Sequence, residues 1–148
     1  MSICGLDIGD LVKRIEARCE FASVGLERDL KEATLNGLTF NTAFVLHGGG
    51  KASFVPNAHV INQYCEPRFG VVMVARSYAR QTLARERAIQ DMQQAIREAL
   101  IGWCMPGADS PMYLVNEAPL KTEKVPSELM IWMDELQTRY QFEVKTQR

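Results

Sequence analysis

Residues 69–109 read FGVVMVARSYARQTLARERAIQDMQQAIREALIGWCMPGAD, and the two halves demand different structures. The first half carries Val71-Val72-Met73-Val74-Ala75, apolar on both parities, which predicts a strand covered on both faces and central in its sheet. A short polar turn follows. The second half spaces Ile89, Met92, Ile96, Ala99, Leu100 and Trp103 at three- and four-residue steps, so they share one face of a helix. Arg87, Gln90, Gln94 and Arg97 fall on the opposite side. Pro106 cannot continue a helix and Gly107 suits a left-handed exit, so the helix is expected to stop there. A buried strand feeding a one-sided helix is a packing unit, and the rest of the chain must complete its core.

Towards the N-terminus, residues 7–19 predict a helix capped by Asp7, with Ile8, Leu11, Val12 and Ile15 on one stripe. Phe21–Gly25 is a short strand candidate, residues 27–35 favour a short helix or turn, and Asn36-Gly37 is a turn signal. Thr42–Leu46 reads as a second buried strand. Residues 58–77 are strand-rich, with Ile61, Cys65, Phe69, Val71, Met73 and Ala75 on one parity. Pro67 is expected to mark a bulge or an edge, dividing this stretch into two segments.

Towards the C-terminus, Asp109-Ser110-Pro111 is a turn and Met112–Val115 a strand. Glu117-Ala118-Pro119 is expected to turn the chain into a charged hairpin return over residues 120–125. Met130, Trp132, Leu136, Tyr140, Phe142 and Val144 then alternate with Glu135, Gln137, Arg139, Gln141, Glu143 and Lys145, which predicts one long strand with a buried and a wetted face. Asp134 breaks the apolar parity. It reads as a bulge or strand end turned to water, or as a carboxylate offered to a neighbouring chain. Together these elements predict a single α+β domain over residues 1–148. Its mostly antiparallel sheet has about five or six strands, with a long central helix and an N-terminal helix packed on it.

The bulk properties set boundaries on function. A chain of 148 residues, 47% hydrophobic and 24% charged, has the composition of a soluble globular domain. A net charge of −1 provides no global attraction to nucleic acid or anionic lipid. Arg76, Arg80, Arg85 and Arg87 gather near the start of the main helix, but Glu86 and Asp91 dilute them, as on a solvated face. Cys4, Cys19, Cys65 and Cys104 form no C-x-x-C pair and read as free thiols of a reducing compartment. No signal peptide or membrane span is visible, so a cytosolic protein is expected.

His47-Gly48-Gly49-Gly50-Lys51-Ala52-Ser53 invites a catalytic reading that its neighbours do not support. A phosphate-binding loop would need glycine where Val45 stands and a hydroxyl where Ala52 stands. An HGGG oxyanion loop, the mark of a small hydrolase, needs a Gly-x-Ser-x-Gly nucleophile, and no serine sits in one. What remains is a mobile glycine-rich loop between two strands that orders on a partner. His47 and His59 are isolated, and no paired carboxylates or Cys–His pair follow from spacing. No catalytic, cofactor-binding or metal-binding residue is assigned.

Several segments together resemble a known family. They are Phe21–Val24, Thr42–Val45 and Glu66–Val72, the helix end Ile96–Trp103 with Met105–Pro111, and then Met112–Val115 and Ile131–Leu136 with Tyr140. In this order, over residues 21–140, the sequence resembles the tail-terminator proteins of long-tailed bacteriophages of the Mu-like and related siphophage and prophage group. The resemblance implies a structural virion protein, assembled in the bacterial cytoplasm. It would form a hexameric ring on the last ring of the tail tube, halt polymerisation and present a surface to the head connector. It implies no cofactor and no reaction. Its partners would be copies of itself, the tube protein and a head-completion protein, not a membrane or a specific nucleic-acid sequence. Another head–tail joining or tail-completion component is the alternative. A ring subunit needs two contact surfaces. The candidates are Lys51, Ser53, Phe54, Asn57 and His59; Glu117, Lys121, Glu123 and Lys124; and Glu135 with Arg139 on the polar face of the last strand.

Overall fold

The computed structural model describes residues 5–20, 23–26, 41–57, 59–76, 83–120 and 129–147. Its elements run α1 (Ile8–Arg18), β1 (Ser23–Leu26), β2 (Thr42–Pro56), β3 (Val60–Arg76), α2 (Ala84–Leu100), β4 (Tyr113–Pro119), β5 (Leu129–Gln137) and β6 (Tyr140–Lys145). The six strands form one sheet in the order β1-β2-β3-β5-β4, and β6 also pairs with β3. The fold is therefore α+β. The sheet is mixed, because β1 runs parallel to β2 while the other pairings are antiparallel.

Val71–Ala75 lies at the centre, as its two-sided apolar pattern requires. Here β3 is flanked by β2 and β5, and all five side chains are buried. Val71, Met73 and Ala75 face the helices, in one core with Leu11, Ile15, Ile89, Met92, Ile96, Ala99 and Leu100. Val72 and Val74 face the other way and cluster with Phe44 and Ile131. Asp7 caps α1, its side chain accepting the Gly9 N–H at 2.8 Å.

The main helix is shorter than the sequence led us to expect. It ends at Leu100, before Trp103 and Pro106. The exit is Gly102, at φ +84°, rather than Gly107. The reason lies in where the last carbonyls find donors. The Arg97 C=O accepts from Ile101 N–H and the Leu100 C=O from Trp103 N–H. The Ala99 C=O accepts from Arg14 Nε at 2.9 Å, and the same guanidinium lies 5.2 Å over the Trp103 ring. Gly102 and Met112 then bond across the turn, so 101–103 runs beside the start of β4 instead of continuing the helix.

The glycine-rich stretch is not a loop. Residues 47–53 lie within β2, paired to β3 on both sides of a bulge at Gly48-Gly49. Gly49 has φ +74°, a conformation that side chains disfavour. A Cβ on Gly50 would stand 2.5 Å from the Glu66 carbonyl oxygen and 2.8 Å from the Pro67 Cα. Gly49 serves its backbone angle and Gly50 lets backbone approach backbone, so the stretch is paired strand where a mobile loop was expected. Gly50→Ala is expected to cost about 1–3 kcal/mol by overpacking against main chain, measured from urea unfolding midpoints.

Pro67 leaves β3 unbroken; the interruption falls in the strand beside it. Leu136 of β5 faces Phe69 and Tyr140 of β6 faces Cys65, the same register on either side of a gap at Thr138-Arg139. The Thr138 N–H reaches the Pro67 carbonyl at 3.2 Å, but proline has no N–H to return. The single long strand expected over residues 130–145 is thus two strands in one line. Its apolar parity stays on the helix face throughout. Glu117-Ala118-Pro119, expected to turn the chain, is instead the second half of β4, paired to Met133 and its neighbours in β5. The expected elements at 27–35, 36–37 and 121–125 lie outside the described residues.

Candidate assembly surfaces

Beyond the bulge, β2 and β3 leave the helix-covered core and continue, with β6, as a three-stranded arm. Lys51, Ser53 and Phe54 are exposed on its outer strand, and Asn57 and His59 sit at its turn. There Asn57 Oδ1 accepts the His59 N–H at 3.1 Å and the Asn57 N–H reaches the Val60 carbonyl, which closes the hairpin. The structure therefore brings these five predicted residues onto one projection.

The remaining predicted residues do not join them. Glu135 lies on β5, half-buried, 3.9 Å from Arg68. Arg68 in turn donates from Nε to Gln137, which donates to Glu66, so this polar face at the arm's base is tied together internally. Arg139 sits in the gap between β5 and β6. Its Nε donates to Asp109 at 2.9 Å, which holds the guanidinium above its ordinary range. Glu117 lies on β4. Lys121, Glu123 and Lys124 lie outside the described residues.

Sequence reasoning missed a buried charge cluster. Asp134 is fully buried, neither turned to water nor offered outward. Arg97, expected on the solvent side of α2, reaches over the sheet. Its Nε and one terminal nitrogen donate to the two Asp134 oxygens at 2.9 Å each. Glu117 completes the cluster by accepting from the same terminal nitrogen. The Asp134 hydrogen bonds raise the Arg97 pKa against the opposing cost of desolvation, and Glu117 adds to the effect. A signal for the pair existed: one carboxylate on an apolar strand parity, and one arginine next to the apolar stripe of the covering helix.

Nothing described converges as reactive groups would. An open groove of about 330 Å³ is lined by Glu66, Pro111, Tyr113, Gln137 and Arg139 among others. A second groove, about 470 Å³, is lined by Arg18, Cys19, Glu20, Asp91 and Met92 among others. Burial pushes the Cys19 thiol up, away from the thiolate form a nucleophile needs, and its Sγ lies 3.4 Å from the Ala95 carbonyl. Cys19, Cys65 and Cys104 are free thiols. Among the described residues, no group of three or more His, Cys, Asp or Glu side chains is placed to hold a metal ion. No helix there is long and apolar enough to cross a membrane.

With this geometry in place, comparison with known proteins is decisive. A family model described as phage tail terminator protein matches residues 1–147. The chain belongs to that family. Tail terminators are structural virion proteins, and the arm and the absence of converging reactive groups among the described residues are features of this member. No curated protein matches the chain. Among solved structures, a chain from the virion of a native gene transfer agent particle is similar, with TM-score 0.53 and 11% sequence identity over 86% of this chain and 84% of that one. At that identity the likeness is one of fold, and it extends over nearly the whole of both chains.

Proposed function

We propose that this tail terminator caps the end of the tail tube as a homo-oligomeric ring, six copies being the expected number. It stops tube polymerisation and gives the head connector its docking surface. The observation that carries this reading is the family match over residues 1–147. The surface features agree with it. A ring subunit must meet copies of itself on two sides and other proteins above and below, and here the distinctive feature is a projecting three-stranded arm. The role requires no cofactor and no reaction, so the chain is read as a non-enzyme that resides in the virion. Its partners are then its own copies, the tube protein and a head-completion protein.

The test is a phage lacking this chain. Electron micrographs of lysates are expected to show tubes that run well beyond the normal length and lack heads. Tubes of normal length that merely fail to join heads would favour a joining protein instead and overturn termination.

A further inference from the structure

We infer that the three-stranded arm is hinged on the body of the fold at the level of Glu66–Arg68, and that the side chains of Arg68, Gln137 and Glu66 latch it at the observed angle. The inference concerns the free chain and does not rest on the ring reading.

Both neighbours of β3 lose their pairing at one level. On one side the register of β2 passes from His47 facing Phe69 to Gly50 facing Pro67, so Gly48 and Gly49 bulge out opposite Arg68. On the other side β5 ends with Gln137 facing Arg68, and β6 begins with Tyr140 facing Cys65, so Thr138 and Arg139 fall opposite Pro67 and Glu66. Of the three, β3 crosses this level without a break, and there it carries a proline, which has no N–H to give either neighbour. A bulge disrupts the ladder and lets its strand bend. Interruptions on both sides of β3 at one level leave little to resist bending there. Gly49 adds freedom, because its φ is +74° and a Cβ on it would meet nothing within 4 Å. On the arm side, Gly50 lies close against Glu66 and Pro67, so the arm moves as one body.

The core does not set the arm's angle. The buried side chains of β3 run from Phe69 onward, and no described residue of the arm is buried. The cross-strand row Phe54, Gln63 and Phe142 continues the β3 parity that faces the helices at Phe69–Ala75, yet on the arm it stands in solvent, with Phe54 61% exposed. Polar side chains hold the angle instead. Arg68 Nε donates to Gln137 Oε1 at 3.2 Å, and Gln137 Nε2 donates to Glu66 Oε2 at 3.4 Å. Gln137 belongs to the body and Glu66 to the arm, so this chain of bonds crosses the bending level. The pivot itself is pinned to the body. Thr138 Oγ1 donates to the Ser110 carbonyl at 2.9 Å, and the Arg139 carbonyl accepts the Asp109 N–H at 2.8 Å. The bonds across the level are longer than those that pin the pivot, and therefore weaker. The latch can open while the parts on either side keep their structure, which is how a hinge absorbs a change of angle in a few residues.

The test is the distance between two nitroxide labels in one full chain, measured by double electron–electron resonance. The arm pair is Phe54→p-acetylphenylalanine with Glu16→p-acetylphenylalanine, and the body pair is Asn116→p-acetylphenylalanine with the same change at Glu16. All three positions are exposed, the native cysteines stay untouched, and excess unlabelled chain removes distances between copies. An arm of about 20 Å turned through about 15° carries its tip about 5 Å. Gln137→Leu and Glu66→Ala are each expected to move or broaden the arm distance by about that amount, and to leave the body distance as in the parent. Should Gln137→Leu fail to fold, Glu66→Ala decides alone. Folded variants with the parent's arm distance would overturn the inference. A body distance that broadens along with the arm distance would overturn it too, since that is general loosening and not a hinge.

Discussion

Arg97→Met is expected to lose about 3–5 kcal/mol of folding stability, the cost of leaving a buried carboxylate without its cation. At roughly 2–4 °C per kcal/mol for a chain of this size, the melting temperature falls by about 6–20 °C. Asp134 has no exposed surface, and both of its oxygens are held by the one guanidinium. Methionine keeps most of the aliphatic length, so the loss is chiefly one of charge and donors. The informative partner experiment is the double change Arg97→Met with Asp134→Leu. A buried pair replaced by apolar side chains is often neutral or better. Most of the lost stability should therefore return, a non-additivity that marks direct coupling. Glu117→Gln should cost under ~1 kcal/mol, because that carboxylate stands half in water. Cooperative urea unfolding of the parent and of Arg97→Met, Asp134→Leu, the double change and Glu117→Gln reads all of this. A single Arg97→Met chain as stable as the parent would mean that the cluster is not closed. Asp134 would then be free to meet a neighbouring chain after all.

How far the sequence carried the structure follows from the range of each interaction. Local patterns were readable. The Asp7 cap, the α1 stripe of Leu11 and Ile15, the two-sided Val71–Ala75 strand and the even parity of residues 130–144 were all visible, because periodicity alone encodes them. What failed needed a partner far away in sequence. The helix stops at Leu100 because Arg14 and the start of β4 take over its last carbonyls and turn, contacts that no window around Pro106 contains. The Gly48–Gly50 run looked mobile because glycine composition does not distinguish a flexible loop from a crowded bulge. The distinction rests on Glu66 and Pro67 lying across the ladder. Pro67 was expected to divide its own strand, but β3 runs through it unbroken, and the gap lies opposite it, between β5 and β6, where proline has no N–H to offer. For the surfaces, the residues of the arm were named together because they are contiguous. Their apolar face was not, since Phe54 and Phe142 share a row only through Gln63 of β3 between them.

Phe69→Ala is the second large effect, expected at about 3–5 kcal/mol from the lost transfer energy and the cavity left behind. Phe69 is 1% exposed and sits at the point where the helix-covered sheet becomes the arm. It faces Leu136 on one side and His47 on the other, its ring centroid 5.7 Å from the imidazole. Ile96→Ala, deep under the helix, is the control of similar burial and similar expected cost, about 2–5 kcal/mol. The two should differ in where the structure loosens. Removing Phe69 takes away the last buried anchor before the bulge, so amide exchange should rise first in residues 60–67 and 140–145, ahead of residues 42–45 and 71–75. Removing Ile96 should loosen α2 and the central strand while leaving the arm's relative protection unchanged. If the arm is what each copy extends to its neighbour, Phe69→Ala should also weaken assembly more than its stability loss alone accounts for, and Ile96→Ala should not. Equal exchange patterns in the two variants would mean that the arm is not a separately anchored unit, and that its exposed face depends on the rest of the sheet for its shape.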